Sequence, residues 1–244
     1  MFKHISCSQE AAMIDVRPAA SRGHGQHGWL DTWHTFSFAE YQDPAHMQFR
    51  ALRVINEDRV QPGQGFGAHG HRDMEILTWV LEGELAHEDS MGHRQGLRPG
   101  SSQAMSAGTG VRHSEFNGSD SELVHFLQIW ILPDRAGRKP GYQEAAFPDT
   151  ALRNRLGLIA GRDGAEGSVV LHQDVEVRVA RLDPGASVRH AFAPGRHGYV
   201  QVAKGAVTLN GHPLAAGDGA ALSGEAEAML VAAEASEVLL FDLA

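Results

Sequence analysis

Two pairs of residues in this chain have the types and spacing of metal ligands. His69 and His71 flank a glycine in GFGAHGHRDMEI (65–76), and His113 and Glu115 flank a serine in GVRHSEFN (110–117). In an extended strand residues i and i+2 share a face, so each pair projects two donors in one direction. Three neutral imidazoles and a carboxylate suit a borderline divalent cation, and an octahedral ion held by four such donors keeps two positions open for other ligands. A lone His-x-His is weak evidence in a chain with 15 histidines. The second pair strengthens it, because it follows SAGTG (106–110), a glycine turn able to deliver a strand to the same place.

Such pairs need neighbouring, rigid strands, and the sequence supplies them. Residues 74–85 (MEILTWVLEGEL) and 122–132 (ELVHFLQIWIL) are nearly continuous apolar runs, the pattern of strands buried on both faces. Turn signals recur at short intervals, among them Pro62-Gly63, Glu82-Gly83, Pro99-Gly100 and Ala107-Gly108, as in a sandwich or barrel. Residues 33–41 (WHTFSFAEY) alternate like a strand expected to pack on the first barrel, with no chemistry of its own. Residues 149–158 (DTALRNRLGL) read as one short helix capped by Asp149.

The chain also repeats itself. QPGQGFGAHGHRDMEILTWVLEGEL (61–85) and DPGASVRHAFAPGRHGYVQVAKGAV (183–207) share Pro-Gly pairs and strand-ending glycines, Gly83 and Gly205, at an offset of 122 residues. This predicts two tandem β-barrels: residues 1–135 carrying the metal site, a linker at 136–150 in a stretch rich in proline, glycine and charge, and a second barrel at 151–244. The offset places Ala191 and Ala193 where the first barrel has His69 and His71, and no histidine follows residue 212. Only the first barrel is therefore expected to bind metal.

Composition bounds the function. Hydrophobic residues make up 42% of 244, enough for a real core. A net charge of −9 argues against direct nucleic-acid binding, since no basic excess is available to displace counterions. The one cysteine, Cys7, cannot form an intramolecular disulfide and reads as an inert thiol in a reducing compartment. The N-terminus lacks the apolar core of a signal peptide, and no run reaches the roughly 20 apolar residues of a membrane helix. The expectation is a cytoplasmic protein without membrane association.

The segments RGHGQHGWLDTWHTFSFAEYQDPAHM (22–47), RVINEDRVQPGQGFGAHGHRDMEILTWVLEGELAHEDSMG (53–92) and MSAGTGVRHSEFN (105–117) resemble the pirin family, bicupins of the cupin superfamily. Within it they look closest to bacterial members associated with quercetin 2,3-dioxygenase activity; the C-terminal half resembles the family only in its turn pattern. The resemblance implies an all-β fold of two tandem cupin β-barrels with few short helices. It implies His69, His71, His113 and Glu115 as metal ligands, with Fe(II) as the ion and Mn, Ni, Cu or Zn as other occupants. It further implies oxygenolytic ring opening of a flavonol such as quercetin or a related aromatic enol, the small aromatic substrate and O2 being the partners. Glu115 is expected to serve as ligand and as general base toward the substrate hydroxyl. Glu75, at the glutamate position of the general cupin motif, is expected to orient an imidazole from behind. Gly70 stands where many relatives have proline. Phe66, Trp79, Met105 and Phe116 are expected to line a flat pocket. A second reading keeps the metal and drops turnover: relatives include a nuclear member that acts with transcription factors, which implies a regulatory or redox-sensing protein working through a protein partner.

Overall fold

The computed structural model describes residues 11–244; Cys7 lies outside them. Four sheets form two barrels. In the first, a seven-stranded sheet runs in the order Gly141–Ala146, Ser101–Ser106, Glu75–Glu82, Val124–Ile131, Leu52–Val60, Leu30–His34 and Gly23–Gln26. Its companion is a four-stranded sheet, Gly65–His71, Val111–Asn117, Leu85–Asp89 and Arg94–Leu97. Leu85 and Leu97 of the small sheet share a core with Val60, Val80, Val124 and Phe126 of the large one, which closes the barrel. The second barrel repeats the plan, with Ser187–Ala191, Glu227–Ala232, Ala206–Leu209 and His212–Ala215 as its small sheet. The expected all-β pair of barrels is what forms. Among the described residues no helix is long and apolar enough to cross a membrane.

The continuous apolar runs have a physical explanation in this arrangement. Along Glu75–Glu82, Ile76 and Val80 face into the first barrel, whereas Leu77 and Trp79 face the second. Along Val124–Ile131, Phe126 points inward and Leu127 and Ile129 outward. The outward set meets Val177, Val179, Leu239 and Phe241, from strands of the second barrel, in the largest core of the molecule. The two large sheets therefore pack back to back, and neither face of their central strands touches water. Trp79 is wholly buried there, and its Nε1 donates to Glu237 Oε1 at 2.6 Å across the interface. Trp79→Ala would cost about 3–5 kcal/mol at such a site.

Several local expectations are corrected. The stretch expected as linker contains a strand, Gly141–Ala146, paired with Ser101–Ser106 of the first barrel. The helix is one turn, Asp149–Leu152; Pro148 is its N-cap and no side chain caps it, so Asp149 lies inside the first turn. Residues 33–41 are not one strand: Leu30–His34 ends early, and the chain reverses through Ala39 at φ 48°, with Phe38 bridged to Tyr41. Trp79 and Met105 sit in core clusters rather than in a pocket, and Phe116 is 40% exposed on the outer face.

Gly83 and Gly205 end equivalent strands and both have positive φ, 76° and 77°. A Cβ on Gly83 would stand 2.5 Å from the Leu123 carbonyl oxygen. The turn thus demands glycine for both conformation and space.

Candidate metal centre

The strands Gly65–His71 and Val111–Asn117 are antiparallel neighbours, with His69 directly opposite His113 and His71 opposite Val111. A bulge follows: between the His69–His113 pair and the Phe66–Glu115 pair the first strand carries one residue more than its partner. On the His71 side of the bulge the register is regular, so His69, His71 and His113 share one face. Ring centroids are 4.4 Å apart for His69 and His113, and 4.8 Å for each of the other two pairs.

Donor atoms of His69, His71 and His113 all lie within 4.8 Å of one another. Nε2 of His71 and Nε2 of His113 are 2.9 Å apart, about the separation of two cis donors each about 2.0–2.1 Å from one shared ion. His69 donates from Nδ1 to the Gly67 carbonyl at 2.8 Å, which leaves its Nε2 as the free lone pair. Burial pushes the imidazoles of His71 and His113 down, to about 4 and about 2, and the neighbouring histidines add to the effect. Both rings are therefore neutral near pH 7, the form that ligates metals.

Glu115 is 2% exposed. Its Oε2 accepts from Gln128 Nε2 at 2.8 Å, and the Gln128 oxygen accepts from Thr78 at 2.8 Å, which fixes the amide's orientation. Its Oε1 is buried without a partner. Burial pushes this carboxyl up to about 7, against the pull of the Gln128 hydrogen bond. Glu115 groups with His113 and with a residue the sequence did not single out, His87. The donor set, its spacing and the unpartnered Oε1 fit a divalent cation.

A cavity of about 200 Å³ opens beside these groups. Of the four expected lining residues, Phe66 alone borders it; Phe38 and Trp130 supply further aromatic wall, and His71 packs edge-on to Trp130 at 4.9 Å. His34, Asn56, Asp58 and Gln128 give it a polar side, and His34 Nδ1 is 2.8 Å from Asn56 Oδ1. Burial raises Asp58 to about 7, opposed by a hydrogen bond from Thr32. The sequence held a signal for two of these. Asn56-Glu57-Asp58 interrupts the otherwise apolar strand Leu52–Val60, and buried polar side chains need a reason.

Glu75 does not support a metal-site imidazole. Its Oε2 accepts from Ser106 Oγ at 2.8 Å and from the His172 backbone N–H at 3.1 Å, so it ties the first barrel to the second. The strand's direction explains this: Glu75 lies one residue from Ile76, on the face turned toward the other barrel.

In the second barrel Ser187–Ala191 runs without a bulge, placing Val188 opposite Leu230 and His190 opposite Ala228. Matched strand for strand, His190, Phe192, Ala228 and Leu230 occupy the places of His69, His71, His113 and Glu115. The constant offset pointed instead to Ala191 and Ala193, because it could not register the extra residue of the first bulge. His190 Nε2 is bound to Asp242 Oδ2 at 2.6 Å; Arg196 pairs with the same carboxylate and, at 3.0 Å, with Asp174. Phe192 fills the space above Gly198, where a Cβ would come within 2.5 Å of its ring.

Two back-to-back barrels, one with a histidine-rich mouth, define a bicupin. Comparison with known proteins gives the family. The pirin profile matches residues 15–131, and that of the quercetinase C-terminal cupin domain matches residues 158–243. A relative from Escherichia coli (strain K12) named quercetin 2,3-dioxygenase is 50% identical over 232 residues, 95% of this chain and 99% of its own. The crystal structure of the bacterial pirin YhhW from Escherichia coli in complex with nickel(II) superposes with a TM-score of 0.90 at 48% identity, covering 95% of this chain and 99% of that one. A quercetin 2,3-dioxygenase from Acinetobacter baumannii gives a TM-score of 0.75 at 25% identity, covering 90% and 83%. The chain belongs to the pirin family.

Proposed function

We propose that this protein is a metal-dependent dioxygenase that opens the ring of a flavonol such as quercetin, or of a related aromatic enol, with O2. The observation that carries the reading is one cavity bordered by His69, His71 and Glu115 on one side and by Phe38, Phe66 and Trp130 on others. His69, His71, His113 and Glu115 are the proposed metal ligands. Fe(II) is the proposed ion, with Mn, Ni, Cu or Zn as alternatives; the nickel(II) complex of the YhhW relative supports a site of this class. A bound divalent cation would acidify the substrate hydroxyl and stabilise the resulting enolate.

The protein's own groups supply the rest. Glu115 acts as ligand and as general base in turn: Oε1, the oxygen without a partner while Gln128 holds Oε2, would bind the cation and, once released from it, take the hydroxyl proton. The aromatic walls orient a planar ring and exclude water from the carboxylate. The experiment is oxygen uptake with quercetin by the metal-loaded protein. Turnover lost in His69→Ala, and lost in Glu115→Gln with metal retained, is the expected result. Full activity in Glu115→Gln would end the base role. Tight metal binding without oxygen uptake on any flavonol would favour the regulatory reading, with a protein partner in place of a substrate.

A further inference from the structure

Next to His113 lies a second buried imidazole whose nitrogens have no partner within hydrogen-bond distance. His87 is on Leu85–Asp89, across the ladder from Glu115, and is 2% exposed. Its ring centroid is 5.3 Å from that of His113. Both nitrogens of His87 are buried without a partner, and so is Nδ1 of His113. Each such orphan costs about 1–3 kcal/mol relative to a satisfied group. Three of them on two adjacent rings call for a role.

The surroundings suggest which role. His113 turns Nε2 toward His71, which leaves Nδ1 on the other side of the ring from the three-histidine cluster. Asp89 Oδ2 is 3.6 Å from His87 Nε2, and Asp89 is itself anchored by the backbone N–H groups of Met91 and His93 and by the His93 ring. Tyr142 stacks on His87 at 4.9 Å and 27°, and His93 stacks on Tyr142 at 4.6 Å. The ring is thus clamped in plane behind His113, and it borders no part of the cavity.

We propose that His87 is a positioning residue for the metal centre: when a cation draws in His113 Nε2, His87 closes on His113 to accept its Nδ1–H and turns its own N–H to Asp89, now 3.6 Å away, so that His113 is locked in the tautomer that offers Nε2 to the cation. A ligating histidine generally gives its second N–H to a fixed acceptor, which orients the ring and raises its basicity. Here the acceptor is a second imidazole backed by a buried carboxylate. The inference rests on His113 being a ligand, as proposed above, and does not depend on the substrate.

The test uses the full chain and binding of the metal alone. His87→Phe keeps the stack on Tyr142 and removes both nitrogens; His87→Gln retains an acceptor. Nickel(II) affinity is measured by chelator competition, and copper(II) EPR counts the coordinating nitrogens. His87→Phe is expected to weaken nickel binding about 10–100-fold with the nitrogen count unchanged, and His87→Gln to recover most of the loss. Wild-type affinity in folded His87→Phe overturns the proposal. So does the loss of one nitrogen from the EPR pattern, which would make His87 a ligand. Should His87→Phe not fold, Asp89→Asn decides: severalfold weaker nickel binding upholds the relay, and unchanged binding overturns it. Absence of quercetin turnover would sink the dioxygenase reading and leave these results standing.

Discussion

At the mouth of the first barrel three imidazoles converge within 4.8 Å, with Glu115 grouped beside His113. At the matching mouth of the second, one imidazole survives, His190, and it is held by Asp242, with Arg196 and Asp174 completing a network of ion pairs. A phenyl ring, Phe192, stands where His71 stands in the first. One scaffold has thus been finished in two ways. In the second barrel His190, Arg196, Asp174 and Asp242 find partners in one another, and the mouth becomes part of the structural framework. In the first, Glu115 Oε1 is left without a partner, a state that folding alone does not favour and that a ligand can repair.

The sharpest way to break this contrast is to remove one ligand from each mouth. His113→Ala should lower metal affinity by more than about 100-fold, beyond what loss of an outer-sphere partner causes. His190→Ala should leave the metal content of purified protein unchanged; metal analysis of both variants is the check. Next in size is Asp242→Asn. Stripping the carboxylate from a buried network leaves Arg196 and His190 uncompensated, with an expected loss of about 3–5 kcal/mol in urea unfolding. Bound metal should be unaffected.

Acid should separate the mouths more gently, in two different pH windows. Burial, aided by His69, depresses His71 from 6.5 to about 4. In chelator-treated protein the unfolded chain takes up this proton first, so stability is whole above pH 6.5 and declines as pH falls toward 4. Burial works against Asp242, but His190 and Arg196 hold it below its ordinary 3.8, so its contribution is whole above pH 3.8 and is lost only below. His71→Ala should reduce the slope of the upper window, to which the depressed His113 also contributes, and Asp242→Asn that of the lower; unfolding titrations from pH 3 to 7 would show it. The smallest effect belongs to Phe116→Ala. That ring is exposed outside the barrel, so both stability, to within about 0.5 kcal/mol, and quercetin turnover should match wild type.

How far the sequence could be read follows from what is local. The i, i+2 spacing of His69-x-His71 and His113-x-Glu115 encodes a shared face, and the doubly buried runs at 74–85 and 122–132 encode back-to-back sheets. A bulge leaves no such trace. It inserts one residue without changing residue types, so a constant offset slid past it and chose Ala191 over His190. The pocket was read least well, because its walls come from segments far apart in sequence, among them His34, Asp58, Phe66, Glu115 and Trp130 from five strands and Phe38 from a turn. Single apolar residues such as Trp79 and Met105 look alike in sequence whether they line a cavity or fill a core, since both environments are apolar.

The strand Met13–Arg17 joins the sheet of the second barrel, with Met13 across from Ser223. During synthesis this strand emerges about two hundred residues before its partner exists. The second barrel's sheet can gain its edge only when the chain is nearly complete, a closure of very high sequence separation and correspondingly slow. Until then Gly219–Ser223 has an uncovered edge, and the late docking of Met13–Arg17 seals it against pairing with other chains.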